Sequence, residues 1–136
     1  MTLTTYAGLQ TAIADFLDRQ DLTASIPTFI ALAEARISRD LSHWKQEKRV
    51  TTTFNERYEL IPNDFIEAKS LHHADGGQIM TMAATEMNER RGADDYVVGK
   101  PTGVTLTAGQ FELFPTPDKA YNVSLLYRGR IPALGA

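Results

Sequence analysis

Apolar residues recur at helical spacing in the first third of the chain and at alternating spacing over much of the rest. Leu9, Ala12, Ile13, Phe16 and Leu17 stand at i, i+3, i+4, i+7 and i+8, one stripe of a helix. Thr4 or Thr5 is placed to cap it, a hydroxyl accepting an orphan backbone N–H. Asp15 and Arg19 lie at i, i+4 in the favourable order on its polar side. The pattern ends near Arg19, and "QDLTAS" reads as a turn. A second helix opens at "SIPTF", where the N–H that Pro27 lacks would have had no partner anyway. Ile30, Ala33, Ile37, Leu41 and Trp44 form its stripe, and the short connection makes the two helices antiparallel neighbours. Phe29 and Leu32 fall off that stripe. Two helices cannot cover two faces of one of them, so the pattern requires a further partner: the β part, another helix or another subunit.

Beyond Trp44 the pattern becomes that of strands. Residues 46–54 and 58–61 read as a β-hairpin around "NER". "PNDF" is a turn, with Pro62 fixing φ and Asn63 or Asp64 able to bond its own backbone. "IEAKSLHH" is extended and closed by "DGG", and "QIMTM" is a short strand. "AATEMNERRG" is a short helix with Gly92 expected at its C-terminal cap. "VTLT", "QFELF" and "AYNVSLLYRGR" are three final strands, with turns at 108–109 and 116–118. Helices first and strands after, with one short inserted helix, indicate an α+β fold: an N-terminal antiparallel helix pair followed by a mostly antiparallel sheet. Trp44 is expected to plug the helices against the sheet, the other reading being an interface anchor.

The composition narrows the function classes. The 136 residues fit one domain with a substantial core, and 43% hydrophobic with 23% charged residues is ordinary for a globular protein. A net charge of −3 argues against a chain whose main task is gripping nucleic acid. There is no cysteine, which excludes disulfides, thiolate catalysis and Cys-based zinc sites. The N-terminus carries neither a basic segment nor an apolar segment of a signal peptide, and no apolar run reaches membrane-spanning length, so no membrane partner is expected.

Candidate chemistry is sparse. No G-x-S-x-G, P-loop, dinucleotide or H-E-x-x-H pattern occurs. His72, His73 and Asp75 are metal-ligand residue types, but neighbours on a strand point to opposite faces, so the two imidazoles cannot easily share an ion. Asp94 and Asp95 could do acid–base work only if burial separated their pKa values, and solvation in a loop is the simpler reading. Lys45, Lys48, Arg49, Arg90, Arg91, Arg128 and Arg130 could form a phosphate-binding face, but interspersed acids favour a solvated one. Tyr121, Val123, Leu125 and Tyr127 alternate along one strand face. That face is expected to be core, with a stacking platform for bases as the alternative. No catalytic residue, cofactor or metal is expected.

Three segments, in this order and spacing, resemble the adaptor proteins of tailed phages. They are "TYAGLQTAIADFLDRQDLTASIPTFIALAEARISRDL", "ELIPNDFIEAKSL" and "GQFELFPTPDKAYNVSLLYRGRIPAL". These adaptors are head–tail connector subunits, related in architecture to the tail tubular proteins of short-tailed phages. The resemblance covers nearly the whole chain and implies a single adaptor domain over 1–136, helical over about 4–44 and β over about 46–131.

It also implies a structural, non-enzymatic role. Such adaptors form a homo-oligomeric ring, commonly of twelve subunits, under the portal protein, and pass the DNA channel to a downstream tail or nozzle protein. The implied location is the host cytoplasm during assembly and then the virion head–tail junction. Family members usually continue past "IPAL" into a helical C-terminal region, whereas here only Gly135 and Ala136 follow. A truncated product, a prophage remnant and a variant covered by another subunit are the readings of that departure, and loss of the region would leave apolar surface bare. Phe29 and Leu32 are the candidate interface residues, joined by Arg36, Arg39, Arg128 and Arg130 as candidates for subunit contacts. DNA contact is expected to be weak at most. The alternative function is a small nucleic-acid-binding module using the Arg/Lys runs and sheet aromatics. An enzyme built on His72–Asp75 or Asp94–Asp95 ranks last.

Overall fold

The computed structural model describes residues 3–93 and 95–135. The chain divides into two compact units, one of residues 1–44 with 130–136 and one of residues 45–129. In the helical unit, α1 spans Tyr6–Leu17 and α2 spans Ile26–Asp40. The Thr5 hydroxyl accepts from the Gly8 N–H at 3.1 Å, the expected cap. Asp18 closes α1 in a left-handed conformation at φ 48°, two residues before the sequence pattern ends. Arg19 is thereby outside the helix and bonds Asp21, with Nε donating at 2.9 Å, rather than the expected Asp15. Pro27 sits in the first turn of α2. That helix stops at Asp40, so Trp44 falls in a 3-10 turn, Trp44–Gln46, and not on a helical stripe.

The β unit holds β1 (Glu47–Phe54), β2 (Tyr58–Leu60), β3 (Phe65–His73), β4 (Gln78–Thr81), α3 (Ala84–Ala93), β5 (Gly103–Thr107), β6 (Gln110–Phe114) and β7 (Tyr121–Gly129). The sheet order is β1-β7-β3-β4-β5-β6-β2, with β4–β5 parallel and every other pair antiparallel. Ala108 and Gly109, both at positive φ, make the tight turn between β5 and β6. Gly92 lies inside α3, which runs one residue past it, so it is not the expected cap.

The expected β1–β2 hairpin does not form. β1 pairs with β7 over eight residues, and β2 pairs with β6. The link turns the chain to a different partner: Glu59 Oε1 accepts from the Asn55 and Glu56 N–H groups, and Arg57 C=O accepts from Leu113 N–H at 2.9 Å. The two end strands of the sheet are thus joined by only residues 55–57, so the sheet must curl until its free edges face one another. The curled inner face carries the core of Phe54, Phe65, Leu71, Ile79, Val104, Phe111, Leu113, Val123, Leu125 and Tyr127. The Phe65 and Phe111 rings meet edge to face at 5.5 Å, and Phe65 stacks on Tyr127.

Candidate interaction surface

Most of the large exposed apolar side chains among the described residues belong to the helical unit. Ile26 and Ile30 are buried, but the stripe that continues from Ile30 is not. Ala33 is exposed, and Ile37 and Leu41 are about half exposed, at 51% and 45%. Beside them Phe29 is 46% and Leu32 64% exposed. A groove of about 520 Å³ runs along Ala33, Arg36, Ile37, Asp40 and Leu41. The sequence separated Phe29 and Leu32 from a buried stripe; in the structure the stripe itself is bare beyond its first turns.

Phe29, Leu32, Arg36 and Arg39 fall at i, i+3, i+7 and i+10, one helix face that is apolar at its start and basic at its end. Arg36 and Arg39 both reach Asp40, at 3.5 and 3.2 Å, in exposed pairs that contribute little stability. Residues 131–135 lie against both helices: the Leu134 N–H donates to Glu34 Oε1 at 2.6 Å, and a Cβ on Gly135 would stand 3.2 Å from the Tyr6 ring. Phe16, expected on the buried stripe of α1, is 90% exposed. Trp44 is 70% exposed, against the expectation of a plug, with its indole 5.4 Å from the His43 ring.

Arg128 is on β7, largely buried, with Nε 3.7 Å from Glu67. Arg130 follows β7 and is exposed. Several other basic residues are already paired with carboxylates. Lys48 pairs with Asp64, Arg90 with Glu86 at 2.8 Å and Lys100 with Asp75 at 2.8 Å. Arg91, expected on a solvated face, is 5% exposed and donates to Glu112 at 2.8 Å. Arg57 joins them, 3.1 Å from Glu112 and 3.4 Å from Asp95. The signal for this network was present: Arg91 stands four residues after buried Met87 on α3, and Glu112 sits between two core residues of β6. The Lys48 ammonium, first, and the Tyr127 hydroxyl hold the Asp64 carboxyl below the usual carboxylate range.

The metal and acid–base candidates separate. His72 is exposed, while His73 is buried with Nε2 2.6 Å from Pro101 C=O and Asp75 turns to Lys100. Among the described residues no group of three or more His, Asp or Glu is placed to hold a metal ion. Asp94 lies outside the described residues; Asp95 is paired with Arg57 and Arg91. Tyr127 is core, so it presents no stacking face. No helix among the described residues is long and apolar enough to cross a membrane. A family profile described as SU10 adaptor protein matches residues 4–136. No curated protein matches the chain.

Proposed function

The chain belongs to the SU10 adaptor protein family, of the phage adaptor and head–tail connector kind, and on that premise we propose that it is a non-enzymatic structural subunit of a homo-oligomeric connector ring. The ring joins the portal protein to a downstream tail or nozzle protein and continues the DNA channel. The observation that carries this reading is the bare apolar row along α2 and its C-cap, Phe29, Leu32, Ile37 and Leu41, each about half exposed or more, since contiguous exposed apolar surface marks an interaction site. Arg36, Arg39, Arg128 and Arg130 serve the subunit contacts, because a guanidinium pairs with a carboxylate in two directed bonds. Negative-stain microscopy of the purified protein mixed with its portal tests the assignment. Rings stacked on the portal are the expected result, and a protein that stays monomeric beside unmodified portals refutes it.

A further inference from the structure

The helical unit carries the two halves of one contact on two different surfaces. The first is the groove of about 520 Å³ along α2. Ala33 and Ile37, with Leu41 at the C-cap, form its apolar row, and Arg36 and Asp40 form the row beside it. Arg39 also reaches Asp40, so two guanidinium groups share one carboxylate and that side of the groove has a surplus positive charge. Glu34, the other acid of α2, accepts from the Leu134 N–H. The second surface is the C-terminal end of α1. Phe16 is 90% exposed there, more than any other large apolar side chain among the described residues of the helical unit. Asp15 and Asp18 flank it, both exposed and neither in an ion pair among the described residues. Arg19 and Asp21, just beyond, neutralise each other.

The charges decide between occupants. A second copy seated groove against groove would bring the two surplus positive charges together and leave Phe16 in water. A second copy seated by the end of its α1 brings Phe16 onto Ala33 and Ile37 and sets Asp15 and Asp18 beside Arg36 and Arg39. Each guanidinium then exchanges a share of one exposed carboxylate for a carboxylate of its own. A foreign partner would have to supply the same aromatic ring between two acids, which every copy of this chain already carries. Aromatic rings and Arg are enriched at interfaces. A contact between two different surfaces is head to tail, the kind from which rings are built.

We propose that Phe16 of one copy seats in the α2 groove of the next, with Asp15 and Asp18 paired to Arg36 and Arg39. The pairing rests on the connector reading, which makes α2 an interface, and it names what covers that interface.

The test reads association of the whole chain by sedimentation over rising concentration and by ring formation on the portal. Phe16→Ser removes almost no buried area, so its melting temperature should match the parent's while association weakens at least tenfold. Asp15→Lys with Asp18→Asn turns the end of α1 positive, and Asn suits the left-handed backbone at position 18. Arg36→Glu with Arg39→Glu turns the groove negative. Each of these two proteins alone should fail to associate. Mixed, they should associate again, because each then meets the opposite charge on both of its surfaces. Leu60→Ser, at an exposed apolar residue of β2, should change nothing. Thermal melts show which variants fold, and Phe16→Ser decides alone where the charge variants do not. Phe16→Ser that assembles like its parent overturns the proposal, as does a mixture of folded charge variants that fails to recover; the connector reading survives either result. Equal loss with Leu60→Ser would mark unspecific apolar association and overturn the pairing too. A parent that stays monomeric both alone and on the portal removes the connector reading and the pairing with it.

Discussion

Arg91 and Glu112 form an ion pair from which solvent is almost wholly excluded, the two side chains being 5% and 7% exposed with Nε 2.8 Å from Oε1. The pair ties α3 to β6. It is supported on every side: Arg91 also donates to the Leu113 carbonyl, its guanidinium lies 5.5 Å from the centre of the Phe114 ring, and Arg57 and Asp95 add one charge of each sign at the rim. A buried pair of this kind adds little stability over an apolar pair of equal volume, but removing one member strands the other.

Glu112→Ala is therefore expected to lose about 3–5 kcal/mol of unfolding free energy, because two guanidinium groups then face no buried carboxylate. Arg91→Met combined with Glu112→Leu should recover most of that loss. Urea unfolding of the three proteins checks it. A single variant that unfolds like the parent would show that the carboxylate contributes no net stability.

The acid limb of stability should depend on Asp64. Its folded pKa is depressed, first by Lys48 and then by Tyr127. A depressed carboxyl stabilises the fold above its unfolded pKa of about 3.9, and that contribution fades as pH falls through the lower folded value. Asp64→Asn is expected to flatten this part of the acid transition. Thermal melts between neutral pH and pH 2 measure it. The geometry is tight enough to constrain the backbone as well: a Cβ at Gly129 would stand 2.9 Å from Asp64 Oδ2, so Gly129→Ala should disturb the same limb.

Local features were legible in the sequence, and pairings at a distance were not. Thr5 and Pro27 mark helix starts because caps and first turns are local chemistry, and Ala108–Gly109 marks a turn because its backbone needs positive φ. The strands were visible as alternation, but alternation does not name a partner. β1 and β2 read as a hairpin since only residues 55–57 separate them, yet β7 offers β1 eight register pairs and β6 takes β2. Burial of Ile37, Leu41 and Trp44 was misjudged for a related reason. A helical stripe states which side can be buried and says nothing of how far along it a partner extends. Arg91 was read as solvated because a charged residue is usually exposed, and its partner Glu112 lies 21 residues away.

Phe29→Ser with Leu32→Ser should leave the fold intact and weaken assembly. Both residues are already substantially exposed, so little buried area is lost within the chain. The expected result is an unchanged melting temperature with a shift of ring-sized species toward monomer in sedimentation. Loss of folding would instead make these two side chains part of the core.

Binding to DNA should be weak, with a shallow dependence on salt. A ring around a DNA channel faces opposed demands, because firm contact with phosphate on every subunit would hold the genome and stall its passage. Contacts to six to ten phosphates are worth about 10³–10⁵ in affinity between low and moderate salt, and a ring multiplies the contacts of one subunit. The net charge of −3 works against such a grip. The ion pairs point the same way: Lys48, Arg57, Arg90, Arg91 and Lys100 each stand beside a carboxylate, which a phosphate would have to displace. Arg36 and Arg39 share Asp40, an exposed pairing that is easily broken, so they are the residues through which any residual binding should run. Filter binding to a short duplex at 50 and 200 mM salt decides the matter. The expected dissociation constant is weaker than micromolar at both, and Arg36→Ala with Arg39→Ala should weaken what binding remains. A micromolar or tighter complex that collapses as salt rises would instead favour a nucleic-acid-binding module over a passive channel wall.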